Sequence, residues 1–360
     1  MKAALCRAFG APLAIEEVSL ADPGQGEVHV RLNACAICHS DITYMDGGWG
    51  GVLPSVFGHE AAGIVQQIGK GVSRVSAGES VIVTLLRSCG ECYYCERDHH
   101  SLCETTFALD DVSPLRDGDG HALGQGLRTG AFAEEVVVHE SQVLGIPPEI
   151  PMASAALLSC GVITGFGAVS NVAGVTRGTS VVTIGTGGVG LNCVQGAALC
   201  GSEVNIAVDL SGEKIEAALR LGATHGFSAD EDLAACVSDL TAGRGADYVF
   251  IAAGSASAVE QGLSLARRGG TVVLVGMTAQ GVKAQFETLN LANDAIRLLG
   301  SKMGQTRLEV DVPRLVEHYL SGRLKLDELI SGCYPLDGIN DAIMAVKKGQ
   351  VLRNVIVFER

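Results

Sequence analysis

Aromatic side chains are scarce in this chain of 360 residues: they make up 4% of it, with a single tryptophan, Trp49. Basic residues are also few, 26 Lys and Arg against 40 Asp and Glu, for a formal charge of −14. No Lys/Arg-rich stripe occurs, which argues against nucleic acid as a partner. The opening residues, M-K-A-A-L-C-R-A-F-G, lack an apolar core and a small-residue cleavage signal, so no signal peptide is expected. Internal repeats, low-complexity tracts and long linkers are absent as well. Two segments carry no charge, residues 150–176 and 178–202. Gly, Ser, Thr and Asn break both and Arg177 separates them, so neither reads as a membrane span.

What the chain does hold is glycine, 47 residues of it, a hydrophobic fraction of 47%, and 12 cysteines. With no export signal, that many cysteines imply reduced thiols and a cytoplasmic location. Four of them cluster: Cys89, Cys92 and Cys95 at steps of three, then Cys103 eight residues on. Thiolates so close in sequence converge on one ion without a long loop to order. Zn²⁺ takes four such ligands tetrahedrally, so residues 89–103 read as a structural zinc lobe. A closed four-thiolate site leaves no position for substrate, and any open site must be built elsewhere.

The length suggests two domains. Residues 28–33, 61–69 and 79–86 alternate like half-buried strands between glycines, and the first half reads as an irregular, mostly β domain. The pattern changes near residue 160. A short apolar strand at 181–184 leads into G-T-G-G-V-G and a helix at 191–199. A strand at 204–208 then ends at Asp209. A helix near 213–221, a strand at 248–252, a helix near 258–266 and a strand at 271–275 follow. Strands alternating with helices predict a doubly wound parallel sheet.

Gly185, Gly187 and Gly190 form G-x-G-x-x-G between strand and helix, with Gly188 and Val189 inside the loop. The glycines serve a tight turn, close backbone approach to a pyrophosphate, and helix–strand packing, while the helix N-terminus offers N–H donors. Asp209 follows at the end of the next strand. A carboxylate there accepts from both ribose hydroxyls and repels a 2′-phosphate, which favours NAD over NADP. Lys214 either reaches the adenosine side or is a solvated helix lysine. Val275, closing a later strand, is the last cofactor candidate.

Three further residues are candidates for an open metal site: Cys38 in A-C-A-I-C-H-S-D, His59 with Glu60 in F-G-H-E, and Cys160 in L-L-S-C-G-V-I-T-G. Two thiolates and an imidazole leave a fourth zinc position free. Taken singly, a cysteine in the apolar company of Cys160 is more often a core cysteine, and a lone histidine such as His59 more often a satisfied structural one.

C-H-S-D, G-H-E, the four-cysteine lobe, L-L-S-C-G-V-x-T-G and G-x-G-G-V-G occur in an order that resembles the zinc-dependent alcohol dehydrogenases of the medium-chain dehydrogenase/reductase superfamily, over essentially the whole chain. The resemblance implies an α/β fold. A mostly β GroES-like catalytic domain would comprise residues 1–161 and 303–360, and a Rossmann NAD-binding domain residues 162–302. It implies two zinc ions per chain, with Cys38, His59 and Cys160 as the catalytic ligands. Glu60 matches a carboxylate that approaches the metal when other ligands leave, and Asp41 the acid that orients the zinc histidine. Ser40 matches the hydroxyl that takes the alcohol's proton, and His39 and Arg353 match positions facing the cofactor pyrophosphate. Trp49, Leu85 and Leu127 fall where the family lines its substrate pocket. Many relatives end the proton relay in a histidine; the position here is Thr43, which cannot store a proton at neutral pH. Lys302 stands where apolar residues are common, as either a solvated side chain or a polar bias in the pocket.

The reaction so implied is reversible oxidation of an alcohol to an aldehyde or ketone with NAD. Its competitors are glutathione-dependent formaldehyde dehydrogenase, disfavoured by Trp49 at a usually polar position, and a non-catalytic NAD(H)-binding sensor, disfavoured because every ligand and Ser40 are present. The resemblance implies a homodimer, because the apolar stretch beginning at Arg297 falls where family members pair edge strands across a two-fold axis, with a tetramer as the alternative stoichiometry. The partner is a small alcohol or aldehyde, with neither nucleic acid nor membrane expected.

Overall fold

Strand-forming runs in the first half assemble around one long strand, Glu27–Ala36, whose buried positions alternate along most of its length. In the computed structural model, which describes residues 1–358, this strand pairs antiparallel with Glu60–Ile68, Glu135–His139 and Arg353–Val357. The sheet runs Val143–Gly145, Ser80–Val83, Glu60–Ile68, Glu27–Ala36, Arg353–Val357, Ile330–Tyr334. A smaller sheet orders Ala14–Glu17, Lys2–Cys6, Ser55–Val56 and Gly124–Gln125. Their apolar faces enclose a core that includes Leu5, Val30, Val56, Phe132 and Ile356. The strand expected over 79–86 runs only from Ser80 to Val83, and the Thr84 hydroxyl that follows it donates to the Ser159 carbonyl at 2.6 Å.

The chain divides into two compact units. One comprises Met1–Cys160, Arg307–Ser321 and Leu326–Arg360, the other Gly161–Thr306 and Gly322–Lys325. The second unit holds a six-stranded parallel sheet in the order His225–Ser228, Val204–Asp209, Ser180–Ile184, Ala246–Ile251, Ala266–Leu274, Arg297–Gly300. The order reverses beside Ser180–Ile184, the arrangement that opens a ligand crevice at the strand C-termini. Helices Gly188–Leu199, Gly212–Arg220 and Ala256–Leu265 fall where the periodicity placed them, within a few residues. Strand His225–Ser228 and helix Leu233–Leu240 went unread in the sequence. The last strand read at 271–275 begins earlier, at Ala266.

The helical run Met152–Ala173 is long and apolar enough to cross a bilayer, but 89% of its most apolar window is buried in the molecule, as in a core helix.

Candidate active site and metal centres

Three adjacent strands set the first constellation. Ala36 is in register with Glu60 on one side and Val355 on the other. Cys38 leaves the end of its strand two residues later and caps the helix His39–Met45 in an extended conformation. Its N–H donates to Asp41 Oδ2 at 3.3 Å, which closes the first turn. Asp41 Oδ1 accepts from the Gly58 N–H and meets His59 Nδ1, each at 2.9 Å. Helix Met152–Leu157 packs on strands Glu27–Ala36 and Glu60–Ile68 and delivers Cys160 in a widened π-helical turn, Leu158–Val162. Such turns recur at functional sites.

The ligating atoms of Cys38, His59, Glu60 and Cys160 lie within 4.8 Å of one another, and all four residues are buried. His59 Nε2 makes no hydrogen bond within geometric limits, although the Cys38 sulfur is near enough to perturb its charge. An imidazole nitrogen left bare in a dry interior beside two sulfurs is a strong fit to a Zn²⁺ site, since an orphaned buried polar atom is otherwise costly. The Asp41 carboxylate behind it fixes the ring and its tautomer.

Electrostatics follow from this packing. Hydrogen bonding with Cys160, reinforced by His59, lowers Cys38 well below the usual thiol range against the effect of burial. Cys160, the other end of that hydrogen bond and also buried, is raised. Burial alone would lower His59, but Asp41 overrides it and raises the imidazole. Burial pushes Glu60 up to about 7 despite the pull of Arg353. Glu60 and Arg353, given different tasks by the resemblance, are paired with each other through Oε2 and Nη2. Arg353 is 5% exposed, and this carboxylate raises it against its own desolvation.

The second cluster is Cys89, Cys92, Cys95 and Cys103, whose sulfurs also lie within 4.8 Å. Cys89 and Cys95 are 4.0 Å apart, Cys92 and Cys103 3.9 Å. These are not disulfide distances. A tetrahedron with Zn–S bonds of 2.3 Å has edges of about 3.8 Å, so the four sulfurs match such a cage. Cys89 Sγ accepts the Thr105 hydroxyl at 3.0 Å and the N–H groups of Glu91 and Cys92. Backbone N–H groups of Glu104 and Cys95 bring Cys92 down to about 6, which favours the thiolate a metal needs.

In the other unit, Gly185 takes φ +89°, and a Cβ there would lie 2.7 Å from the Ala253 nitrogen. A Cβ on Gly190 would meet the Gly185 carbonyl oxygen at 1.8 Å. Gly187 has nothing within 4 Å of its Cβ direction, which leaves its backbone open to a ligand just before the helix that begins with Gly188 and Val189. Asp209 closes its strand with Oδ2 held by Thr186 N–H at 2.7 Å and Oδ1 by Ser211 N–H at 3.0 Å. A carboxylate offers about four acceptor positions, so capacity remains for a hydroxyl. Lys214 is half-buried in the following helix, and Val275 is buried with its N–H on Ile251.

The pocket candidates are spread over three loops. The Trp49 ring meets Tyr44 edge-on at 5.1 Å, and Tyr44 stacks on Phe57 at 6.1 Å. A Cβ on Gly126, next to Leu127, would lie 2.3 Å from the Phe57 ring. Phe57 thus anchors both flanks two residues before His59; it went unnoticed in the sequence because one phenylalanine before F-G-H-E's glycine carries no positional signal. Leu85 and Leu127 are half-buried, Ser40 and Thr43 likewise, and His39 and Lys302 exposed. The Thr43 hydroxyl donates to the His39 carbonyl at 2.9 Å.

Residues 24–148 match the alcohol dehydrogenase GroES-like domain and residues 188–320 the zinc-binding dehydrogenase domain. An NDMA-dependent alcohol dehydrogenase of Amycolatopsis methanolica is 34% identical over 99% of this chain and 98% of its own length. The chain belongs to the zinc-dependent alcohol dehydrogenases of the medium-chain dehydrogenase/reductase superfamily. Among solved structures, an alcohol dehydrogenase zinc-binding domain protein from Burkholderia ambifaria superposes with a TM-score of 0.95 at 33% identity, covering 100% of this chain and 99% of the other. The benzyl alcohol dehydrogenase of Acinetobacter calcoaceticus gives 0.93 at 29%, covering 99% of each. This member of the family is therefore an oxidoreductase acting on alcohols, with a GroES-like and a Rossmann-type unit.

Proposed function

We propose that this dehydrogenase interconverts an alcohol and its aldehyde or ketone with NAD as the hydride carrier, at a zinc held by Cys38, His59 and Cys160. The bare, buried His59 Nε2 between two sulfurs carries the reading. When bound, zinc supplies a Lewis acid that brings an alcohol hydroxyl towards neutrality in pKa, and NAD⁺ supplies the hydride acceptor.

The protein's own groups do the rest. Asp41 keeps the His59 Nδ1 side occupied, so Nε2 is the nitrogen turned to the metal. Ser40, in the first turn after Cys38, accepts the hydroxyl proton and passes it outward. Thr43 has its own hydrogen on the His39 carbonyl, so it can accept a hydrogen bond but cannot hold a proton. Glu60 stays beside the ligands on its tether to Arg353, from which it can approach the metal when another ligand leaves. His39 and Arg353 face the cofactor pyrophosphate, to which the Arg353 guanidinium brings a positive charge. Gly185, Gly187, Gly188, Val189 and Gly190 receive it on the backbone, Asp209 takes the ribose hydroxyls, and Lys214 and Val275 flank the adenosine and nicotinamide portions. A second zinc in the Cys89–Cys92–Cys95–Cys103 cage holds the lobe together. Trp49, Leu85 and Leu127 bound the substrate.

Two wider proposals accompany this. The protein is cytoplasmic, a reading supported by twelve cysteines without a disulfide among the described residues. It is a homodimer, supported by the exposed edge position of strand Arg297–Gly300. Light scattering at micromolar concentration that returned a monomer mass would contradict the dimer.

The test of function is NADH formation by the zinc-loaded enzyme over a panel of primary, secondary, aromatic and polyol alcohols. Turnover that is lost on chelation and restored by Zn²⁺ supports the reading; NAD binding without turnover of any alcohol points to a sensor instead.

A further inference from the structure

Arg87 lies two residues before the first zinc-lobe cysteine, yet it is 2% exposed and takes no part in that lobe. Each side of its guanidinium is occupied. Nε donates to Gln142 Oε1 at 2.7 Å, Nη1 to Asp110 Oδ1 at 2.9 Å, and Nη2 to the Arg128 carbonyl at 3.0 Å. The Phe107 ring lies 5.4 Å from its central carbon, and His139 packs edge-on against that ring. A rigid fork with this many partners does something a lysine cannot.

The partners show what is being held. The Arg128 carbonyl also accepts from Gln142 Nε2 at 3.0 Å, so two buried donors grip one oxygen. That oxygen belongs to a turn in which both Leu127 and Arg128 adopt left-handed conformations, φ 52° and 60°. Such conformations cost energy in non-glycine residues and persist where surroundings fix them. Gln142 Nε2 also donates to the Thr84 carbonyl, Thr84 Oγ1 to the Ser159 carbonyl, and Ser159 Oγ to the Ala61 carbonyl. The chain of hydrogen bonds thus runs from the Leu127 turn to the residues beside Cys160 and His59–Glu60. At its other end Asp110 accepts the Phe107 N–H and starts the short helix Ala108–Asp111.

We infer that Arg87 is the positioning residue for substrate selection: it fixes the Leu127 turn relative to the zinc ligands and so sets the width of the alcohol the site accepts. This rests on the proposal above that Leu127 bounds the substrate. Arg87 itself touches neither substrate nor metal. Its loss frees the turn to relax out of its left-handed conformation, and a wide alcohol and a narrow one respond differently to that relaxation. Loss of a merely structural arginine lowers activity towards both equally.

The test uses full-length, zinc-loaded wild type, Arg87→Ala, Arg87→Lys and Asp110→Asn. Two quantities are read: the ratio of kcat/KM for benzyl alcohol to that for ethanol, and deuterium uptake in residues 124–132. For Arg87→Ala we expect the ratio to move by about tenfold or more, chiefly through KM, since small displacements near a reacting centre have effects of that size. The Thr129 and Gly130 amides, which donate to the Gly126 carbonyl, should exchange faster. Guanidinium at low millimolar concentration should restore both readouts, whereas methylammonium, of equal charge but without the fork, should not. Equal losses for both alcohols with unchanged exchange would overturn the inference, as would an unchanged ratio. If Arg87→Ala does not fold, Arg87→Lys and Asp110→Asn decide on the same readouts. A wild type that oxidises no alcohol refutes the proposed function, and exchange with guanidinium rescue then still decides whether Arg87 holds the turn.

Discussion

Asp41 Oδ1 meets His59 Nδ1 at 2.9 Å, and neither residue has any exposed surface. The carboxylate also receives the Cys38 and Gly58 N–H groups, so it joins one metal ligand to the segment that carries another. Asp41→Asn keeps the shape but removes the charge. Affinity for the catalytic zinc should fall by roughly 10- to 100-fold, the usual effect of losing such a partner. Competition with a chelator measures it, and unchanged affinity would show that the pair does not support the metal.

The same pair fixes a pH dependence. Asp41 raises His59, and Cys160 is also raised by its hydrogen bond to Cys38 and by burial. Both groups therefore hold their protons more tightly in the metal-free protein than free side chains do, and a metal must displace those protons. In the metal-free form, the stability from the protonated His59–Asp41 pair is full below the ordinary histidine value. It is lost as pH rises through the raised one. Zinc uptake should then release protons and tighten with rising pH. Calorimetry in buffers of different ionisation enthalpy reads the proton count directly, and a pH-independent affinity would refute this account.

The two cysteine sites should answer differently to one kind of substitution. Cys103→Ser opens the four-sulfur cage and should chiefly lower the melting temperature, because a structural zinc contributes folding energy. Cys160→Ser should leave the fold in place and abolish turnover. Metal analysis should give two zinc ions per chain in wild type and one in each variant. A fully active, equally stable protein with a single zinc would remove the distinction.

How much of this is legible in the sequence depends on distance along the chain. The lobe cysteines are neighbours in sequence, so their spacing already is geometry. Cys38, His59 and Cys160 are far apart, and what unites them is the register of Ala36 with Glu60 and a helix packed across two strands, neither of which spacing encodes. Only the familiar order of motifs bridged that gap. Strand His225–Ser228 escaped notice because all four of its positions are half-buried and show no alternation. Helix Leu233–Leu240 did offer a signal: Asp232 caps it by accepting the Ala235 N–H at 3.1 Å. The grip of Arg87 and Gln142 on the Arg128 carbonyl was invisible, since a buried arginine and a surface one read alike.

Asp209 should decide between cofactors. Its Oδ2 is held by Thr186 N–H and Oγ1, which fixes the carboxylate at the mouth of the glycine turn. A negative charge there repels a 2′-phosphate and accepts from ribose hydroxyls. The ratio of kcat/KM for NAD⁺ to that for NADP⁺ should be large in wild type and smaller in Asp209→Gly. Equal values in wild type would show that Asp209 is not the selector.

Proton removal should be the step most exposed to pH. Ser40 lies two residues after Cys38, in the first turn of the helix His39–Met45, and Thr43, one helical turn on, has its hydroxyl hydrogen on the His39 carbonyl. A relay that starts at Ser40, as proposed, meets no titratable side chain at Thr43, so its proton would leave through cofactor ribose and water or through another residue. Ser40→Ala should lower kcat for alcohol oxidation by about 10²-fold or more, the scale of lost general acid–base help. Thr43→His adds a group that titrates near neutrality. It should leave hydride transfer intact and raise the oxidation rate at lower pH, where deprotonation limits. The pH profiles of wild type, Ser40→Ala and Thr43→His separate these effects. A Ser40→Ala enzyme as fast as wild type across the profile would mean that the proton passes directly to water, and the relay through Ser40 would have to be abandoned.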